Sequence, residues 1–171
     1  EKHEYDLLFI LGKLYHEGLG VSQNFDLAYE NYTKSIKKSN NDMAKAYSMN
    51  NLGSMFLLGE GVRKDIDKAL EYFQRSAELG NDTAMLNLGL LYFNGELVNR
   101  DYQVAFRYFN NAATKFNGKS LNMLGYYYEV GLLGNQDISK AIECYKKSYE
   151  NNFVKAAYNC ARFFGNGIGV P

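Results

Sequence analysis

Leu52-Gly53-Ser54-Met55-Phe56-Leu57-Leu58-Gly59 is the stretch that decides the fold, because the chain repeats its frame. Leu11-Gly12 leads in the same spacing to Tyr15 and Gly18, Leu88-Gly89 to Tyr92 and Gly95, and Leu124-Gly125 to Tyr128 and Gly131. A fifth copy has Cys160-Ala161, then Phe164 and Gly167. The starts lie 41, 36, 36 and 36 residues apart. A second frame follows each of the first four: Ala28, Tyr32, Ser35; Ala69, Phe73, Ser76; Ala105, Phe109, Ala112; and Ala141, Tyr145, Ser148. It keeps the same step, with the same five-residue excess at the same joint. A fixed period of this length is the signature of a repeat architecture.

Both frames read as helices, since positions i, i+4 and i+7 share one helical face. The Gly after each Leu falls inside a helix, where it costs about 1 kcal/mol relative to Ala. Close approach of a partner helix, where no Cβ fits, would offset that cost. The later Gly residues, Gly18, Gly59, Gly95, Gly131 and Gly167, stand where a left-handed residue ends a helix. Asn24, Asp65, Asp101 and Asp137 stand where an N-cap is needed. First helices are expected near 4–17, 43–58, 82–93, 118–130 and 154–164, and second helices near 25–38, 66–79, 102–115 and 138–151. The five extra residues are expected as a longer surface turn around Ser39–Met43. The fold class is therefore all-α: αα-hairpins stacked into a right-handed superhelical solenoid. One repeat domain fills 1–171, in units of about 4–42, 43–81, 82–117, 118–153 and a partial unit 154–171, with no second domain and no linker.

The full unit resembles the Sel1-like repeat, a relative of the tetratricopeptide repeat. That pattern runs Ala-x3-Leu-Gly-x2-Tyr-x2-Gly-x-Gly-Val-x2-Asp-x3-Ala-x3-aromatic-x2-small-Ala-x2-Gly. The second copy carries Leu52, Gly53, Phe56, Gly59, Gly61, Val62, Asp65, Ala69, Phe73, Ser76, Ala77 and Gly80. The third has Leu97 in place of the second Gly, and the fourth has Leu132-Leu133-Gly134 in the inner turn. The fifth stops at Pro171 within its inner turn, as a portion of a longer array would. The resemblance implies a scaffold or adaptor that holds a protein or peptide partner on the concave face lined by first helices. The alternatives are a regulatory or substrate-recruiting arm of an enzyme complex, and recognition of a small ligand or glycan rather than protein. Members of the family work in several compartments, so location stays open, with the cytoplasm favoured over the endoplasmic reticulum lumen or periplasm.

Helical geometry then selects the partner-binding residues, as those two before, two after and five after the Leu column. They are Phe9, Lys13 and His16; Asn50, Ser54 and Leu57; Leu86, Leu90 and Phe93; Asn122, Tyr126 and Glu129; Tyr158 and Arg162. The expected surface is apolar and aromatic at its centre (Leu57, Leu86, Leu90, Phe93, Tyr126) and charged at its ends (Lys13, His16, Arg162). Aromatic and Arg side chains are the usual hot spots of such surfaces. The competing reading packs these residues on neighbouring helices.

Charge and composition narrow the classes further. Lys plus Arg number 19 against 19 Asp plus Glu, which disfavours a protein held on nucleic acid by phosphate contacts, and likewise attraction to acidic membranes. No apolar run approaches the roughly 20 residues of a bilayer span. Two Cys cannot make a disulfide framework. Cys144 and Cys160 read as packed thiols on adjacent helices, whose pairing the sequence leaves open.

No cofactor or metal is expected. Ala113 to Ser120 mimics a phosphate loop, but joins two helices rather than a strand and a helix. Ser35-Ile36-Lys37-Lys38 contains Ser-x-x-Lys, a pattern of penicillin-recognising enzymes, and cysteine-rich members of the resembled family have been linked to β-lactam binding. Here Ser35 falls in the small-residue core column, and the companion motifs are missing. His3 and His16 lack spaced ligand partners. The sequons at Asn31 and Asn81 are of a kind an Asn-rich chain shows by chance, and Asn31 falls within a helix.

Overall fold

A computed structural model describes residues 4–165, with the side chains of residues 4–6 and 164 excepted. His3, Gly167 and the end of the partial fifth unit lie outside the described residues. Nine α-helices are described: α1 (Glu4–Glu17), α2 (Phe25–Lys38), α3 (Asp42–Leu58), α4 (Ile66–Glu78), α5 (Asp82–Asn94), α6 (Tyr102–Ala113), α7 (Gly118–Val130), α8 (Ile138–Glu150) and α9 (Ala156–Gly165). They divide between two compact units, Glu1–Ala84 and Met85–Pro171. Unit 1 holds α1 to α4 and the first turn of α5; unit 2 holds the rest of α5 through α9.

Within unit 1, α1 packs on α2, α3 on α4, α2 on α3, and α1 on α3. Its core joins Ala28, Tyr32, Leu52 and Met55, with Phe9, Tyr15 and Tyr72 packed against them. In unit 2, α7 packs on α8, α6 on α7, and α8 on α9. One core there joins Leu86, Ala105, Phe109, Leu124 and Tyr127. A second joins Ala141, Ile142, Tyr145 and Phe163.

The glycine inside each first helix has a specific neighbour. A Cβ built on Gly12 would lie 2.6 Å from the Tyr32 ring, on Gly53 2.8 Å from Phe73, on Gly89 2.5 Å from Phe109, and on Gly125 2.6 Å from Tyr145. These are the aromatic column of the second frame. The two frames therefore specify one contact, ring against bare backbone. The helix-ending glycines Gly18, Gly59, Gly95 and Gly131 are all left-handed, with φ between 69° and 79°. Asn24, Asp65, Asp101 and Asp137 each accept a backbone N–H from the first turn of the second helix, as the cap positions require.

The five-residue excess is not a longer turn. The α2–α3 link is residues 39–41, the same length as the 79–81 link between α4 and α5. The excess lies in the helices: α3 has 17 residues where α5 has 13, and α2 has 14 where α4 has 13. One added helical turn on α3 and one residue on α2 account for it. Ser39, expected on a surface turn, is buried.

Candidate functional site

The links that follow α4, α6 and α8 share one closure, whereas α2 ends at Ser39 in extended backbone. Gly80 N–H donates to Ala77 O and Asn81 N–H to Ser76 O; 36 residues on, Phe116 donates to Ala113 O and Asn117 to Ala112 O; 36 further, Asn152 donates to Tyr149 O and Phe153 to Ser148 O. This paired 5→2 and 6→1 bonding is a Schellman closure with a left-handed C′ residue. It returns the chain directly into the next first helix. The Asn81 and Asn117 side chains then cap the helices they enter.

Ser76 Oγ donates to Ala46 O at 2.6 Å, and Ser148 Oγ to Gly118 O at 2.6 Å. The small column thus ties α4 and α8 to the start of their own first helices, α3 and α7. The result in unit 2 is that α7 and α9 present their exposed sides next to one another, with α5 alongside.

A groove of about 420 Å³ opens there, lined by Phe93, Asn122, Met123, Tyr126, Glu129, Tyr145, Asn159 and Arg162. One wall is aromatic. Phe93 and Tyr126 meet edge to face at 6.0 Å, and Tyr126 is 42% exposed. Phe93 also contacts Phe109 and Tyr127, so the core fixes this wall from behind. The middle is an amide pair, with Asn159 Nδ2 donating to Asn122 Oδ1 at 2.8 Å. The far end is an ion pair. Nη1 and Nη2 of Arg162 donate to the Glu129 carboxylate, each at 2.7 Å, and Tyr145 Oη donates to the same carboxylate at 2.6 Å.

Electrostatics follow from this geometry. The Arg162 hydrogen bonds hold the Glu129 carboxyl below the usual glutamate range, and the Tyr145 bond helps against the opposing effect of burial. Burial first, then the bond to the Glu129 carboxylate, pushes the Tyr145 phenol far up. The carboxylate stays ionised and the phenol protonated around neutral pH.

Of the sequence-derived residues in unit 2, Phe93, Asn122, Tyr126, Glu129 and Arg162 come together in this groove. Leu86 does not: it is 5% exposed and sits in the core with Phe109 and Leu124. Leu90 packs against the same core, and Tyr158 is exposed and does not line the groove. In unit 1, Asn50 is 7% exposed, because α3 is buried on nearly every side. Leu57 is half-buried, Phe9 stacks on Tyr47, and Ser54 Oγ bonds back to Asn50 O. Lys13 pairs with Glu17 at the surface. His16 lies 2.9 Å from Glu60 Oε2 through Nε2 and 3.3 Å from Tyr32 Oη through Nδ1.

Met123, Tyr145 and Asn159 belong to the groove and were not singled out from the sequence. Tyr145 had a signal in the columns. Where the residue five after the Leu is polar (His16, Glu129), the aromatic column carries Tyr (Tyr32, Tyr145) and the hydroxyl meets the polar group. Where it is apolar (Leu57, Phe93), the column carries Phe (Phe73, Phe109).

The chemical look-alikes have structural roles. Ser35 is fully buried, so its hydroxyl is closed to a β-lactam ring. Residues 113–120 run from the last turn of α6 into α7. Asn31 donates to Leu27 O within α2, and Asn81 is 2% exposed at its cap. Cys144 and Cys160 are free thiols that pack against different core clusters, and burial pushes both thiols up. Among the described residues, no group of three or more His, Cys, Asp or Glu is placed to hold a metal ion. Nor is any described helix long and apolar enough to cross a membrane.

Comparison with known proteins agrees with this architecture. The Sel1 repeat pattern matches residues 7–40, 46–81, 82–115, 118–153 and 154–171. The protective antigen c5321 of uropathogenic Escherichia coli, which displays an SLR fold, is 32% identical with a TM-score of 0.82, over 98% of this chain and 35% of that one. A Sel1 repeat protein from Oxalobacter formigenes is 26% identical with a TM-score of 0.86, over 99% of this chain and 68% of that one. Cysteine-rich protein B of Helicobacter pylori shares the fold at 22% identity and a TM-score of 0.56, over 72% of this chain and 93% of that one. The chain thus spans about a third of the E. coli antigen and about two thirds of the Oxalobacter protein. No curated protein sequence matches it. The chain belongs to the Sel1 repeat family.

Proposed function

We propose that this Sel1 repeat chain is an interaction scaffold that holds a protein or peptide partner in the α5–α7–α9 groove of unit 2, with no chemistry of its own. The observation that carries the reading is the composition of the groove: an aromatic wall braced by the core, an amide pair, and a fixed ion pair. Such a surface combines apolar area with a few placed polar groups, which is what recognition sites require. Its anchors are Tyr126, Phe93 and Arg162, of the types that dominate binding energy. The Asn122–Asn159 pair spends one donor and one acceptor on itself, and an amide carries more of each to offer.

A non-catalytic role is supported by the protonation states. A general acid or base works best with a pKa near the operating pH. Glu129 and Tyr145 are driven away from it in opposite directions, one down and one up. The test is affinity capture from the source cell with the wild-type chain and with Tyr126→Glu, read by mass spectrometry. One dominant protein retained by the wild type and lost by the variant is the expected result. Equal retention by both would place the binding surface elsewhere, and recovery of no protein together with turnover of a small molecule would favour an enzyme.

A further inference from the structure

The Schellman position that closes α4, α6 and α8 carries Gly80 at φ 85°, Asn152 at φ 66° and, between them in the 36-residue register, Phe116 at φ 60°. Gly and Asn are the residues that position favours. A bulky side chain there is a backbone outlier. Phe116 is also 73% exposed, so the ring recovers nothing by packing. A residue unfavourable on both counts points to a use outside the fold.

Its surroundings indicate the use. The 114–117 link abuts the link after α8: a Cβ built on Gly118, the residue that follows it, would lie 2.7 Å from Asn151 O and 2.9 Å from Phe153 Cβ. Val154, in that second link, is 72% exposed. Two apolar side chains therefore project from adjoining link tips at one end of unit 2. Lys115, Lys119 and Lys155 flank them, all exposed and, among the described residues, in no ion pair. Glu150 is the acidic group nearest in sequence to this second link. The net charge of the chain is zero, but the charge at these links is positive.

We propose that this end of unit 2 is a docking surface for an anionic lipid membrane, with Phe116 and Val154 entering the headgroup boundary and the three lysines meeting the lipid charge. The apolar groups stand exposed at link tips and do not line the groove, and a fluid bilayer receives such groups without a matching pocket. Aromatic insertion combined with lysine attraction is the established physics of peripheral attachment. The surface is separate from the α5–α7–α9 groove, so the two readings stand or fall independently.

The test is co-sedimentation of the 171-residue chain with phosphatidylcholine vesicles, with and without phosphatidylserine. Binding is expected only with phosphatidylserine, and it should weaken as salt is raised. Phe116→Gly should weaken it about tenfold, the worth of one buried aromatic side chain. The same change should raise the melting temperature, because Gly relieves the left-handed strain. Lys115→Gln, Lys119→Gln and Lys155→Gln together should weaken binding on the order of a hundredfold, at about fivefold per lysine. Three outcomes would overturn the proposal: no binding to phosphatidylserine vesicles, binding unchanged by both sets of substitutions, or Phe116-dependent binding to poly-glutamate in place of vesicles.

Discussion

Gly89→Ala sets two physical effects of opposite sign against each other. Gly89 lies in the interior of α5, so helix propensity alone makes Ala better by about 1 kcal/mol. The added Cβ would stand 2.5 Å from Cε1, 2.7 Å from Cδ1 and 3.1 Å from Cζ of Phe109. Carbon atoms in contact prefer about 3.5–4.0 Å, so the ring or the helix must move by roughly 1 Å. Phe109 is fully buried, with Phe93 at 6.3 Å and Tyr127 at 6.0 Å between ring centroids, and it has nowhere to go. Overpacking of this kind costs about 1–3 kcal/mol, which outweighs the propensity gain. Allowing for partial relaxation, Gly89→Ala should lower stability by about 1 kcal/mol in urea unfolding followed by helical circular dichroism. Phe109→Leu frees part of the space. The double variant should therefore be more stable than the sum of the two single losses by about 0.5–2 kcal/mol. Stabilisation by Gly89→Ala, or strict additivity in the cycle, would refute the reasoning.

Ser148→Ala removes the 2.6 Å bond to Gly118 O and leaves that part-buried carbonyl without its side-chain donor. Urea unfolding should show a loss of about 1–2 kcal/mol. Glu129 has its folded-state pKa below the unfolded value, so the stabilisation it brings is present above the ordinary glutamate range and is lost as pH falls through the folded value. Glu129→Gln should therefore destabilise at neutral pH by about 1 kcal/mol, modest because Arg162 is 41% exposed, and should flatten the loss of stability below the ordinary glutamate range. Tyr145→Phe deletes one hydrogen bond to that carboxylate, and an NMR titration should show the Glu129 pKa move up towards its ordinary value.

Helix positions were legible because the punctuating residues are in register. Gly18, Gly59, Gly95 and Gly131 end first helices, while Asn24, Asp65, Asp101 and Asp137 begin second ones, so each boundary was marked twice. The five-residue excess was legible in size and misplaced in kind. Ser39-Asn40-Asn41 has turn composition, which drew the extra residues there, but a shift in register does not distinguish a longer loop from a longer helix. The additional turn of α3 is buried through Ala44, Ala46 and Ser48, and that packing holds it helical.

The groove was legible in part. Counting around the helix found Phe93, Asn122, Tyr126, Glu129 and Arg162. It also selected Leu86 and Asn50, because periodicity gives an angle and not what stands opposite it. First helices are flanked on several sides, so a residue away from the Leu stripe can still be covered. Tyr145 was hidden by its column: a core position whose ring is buried can send its hydroxyl to a surface carboxylate. Phe116 was invisible as an outlier until its backbone angle was known, although the 36-residue register already aligned it with Gly80 and Asn152.

The central claim is that the α5–α7–α9 groove binds polypeptide, and selection from a random-peptide display library on the immobilised chain tests it most directly. Phe93 braces the core as well as the groove, so Tyr126→Ala with Asn159→Ala is the better comparison, since both side chains face the groove and neither fills a core cluster. The account expects enrichment of related peptides that bind the wild type and lose at least about tenfold in affinity on the double variant, with its helicity unchanged. Peptides that bind both proteins equally, or a library that yields no enrichment, would contradict it.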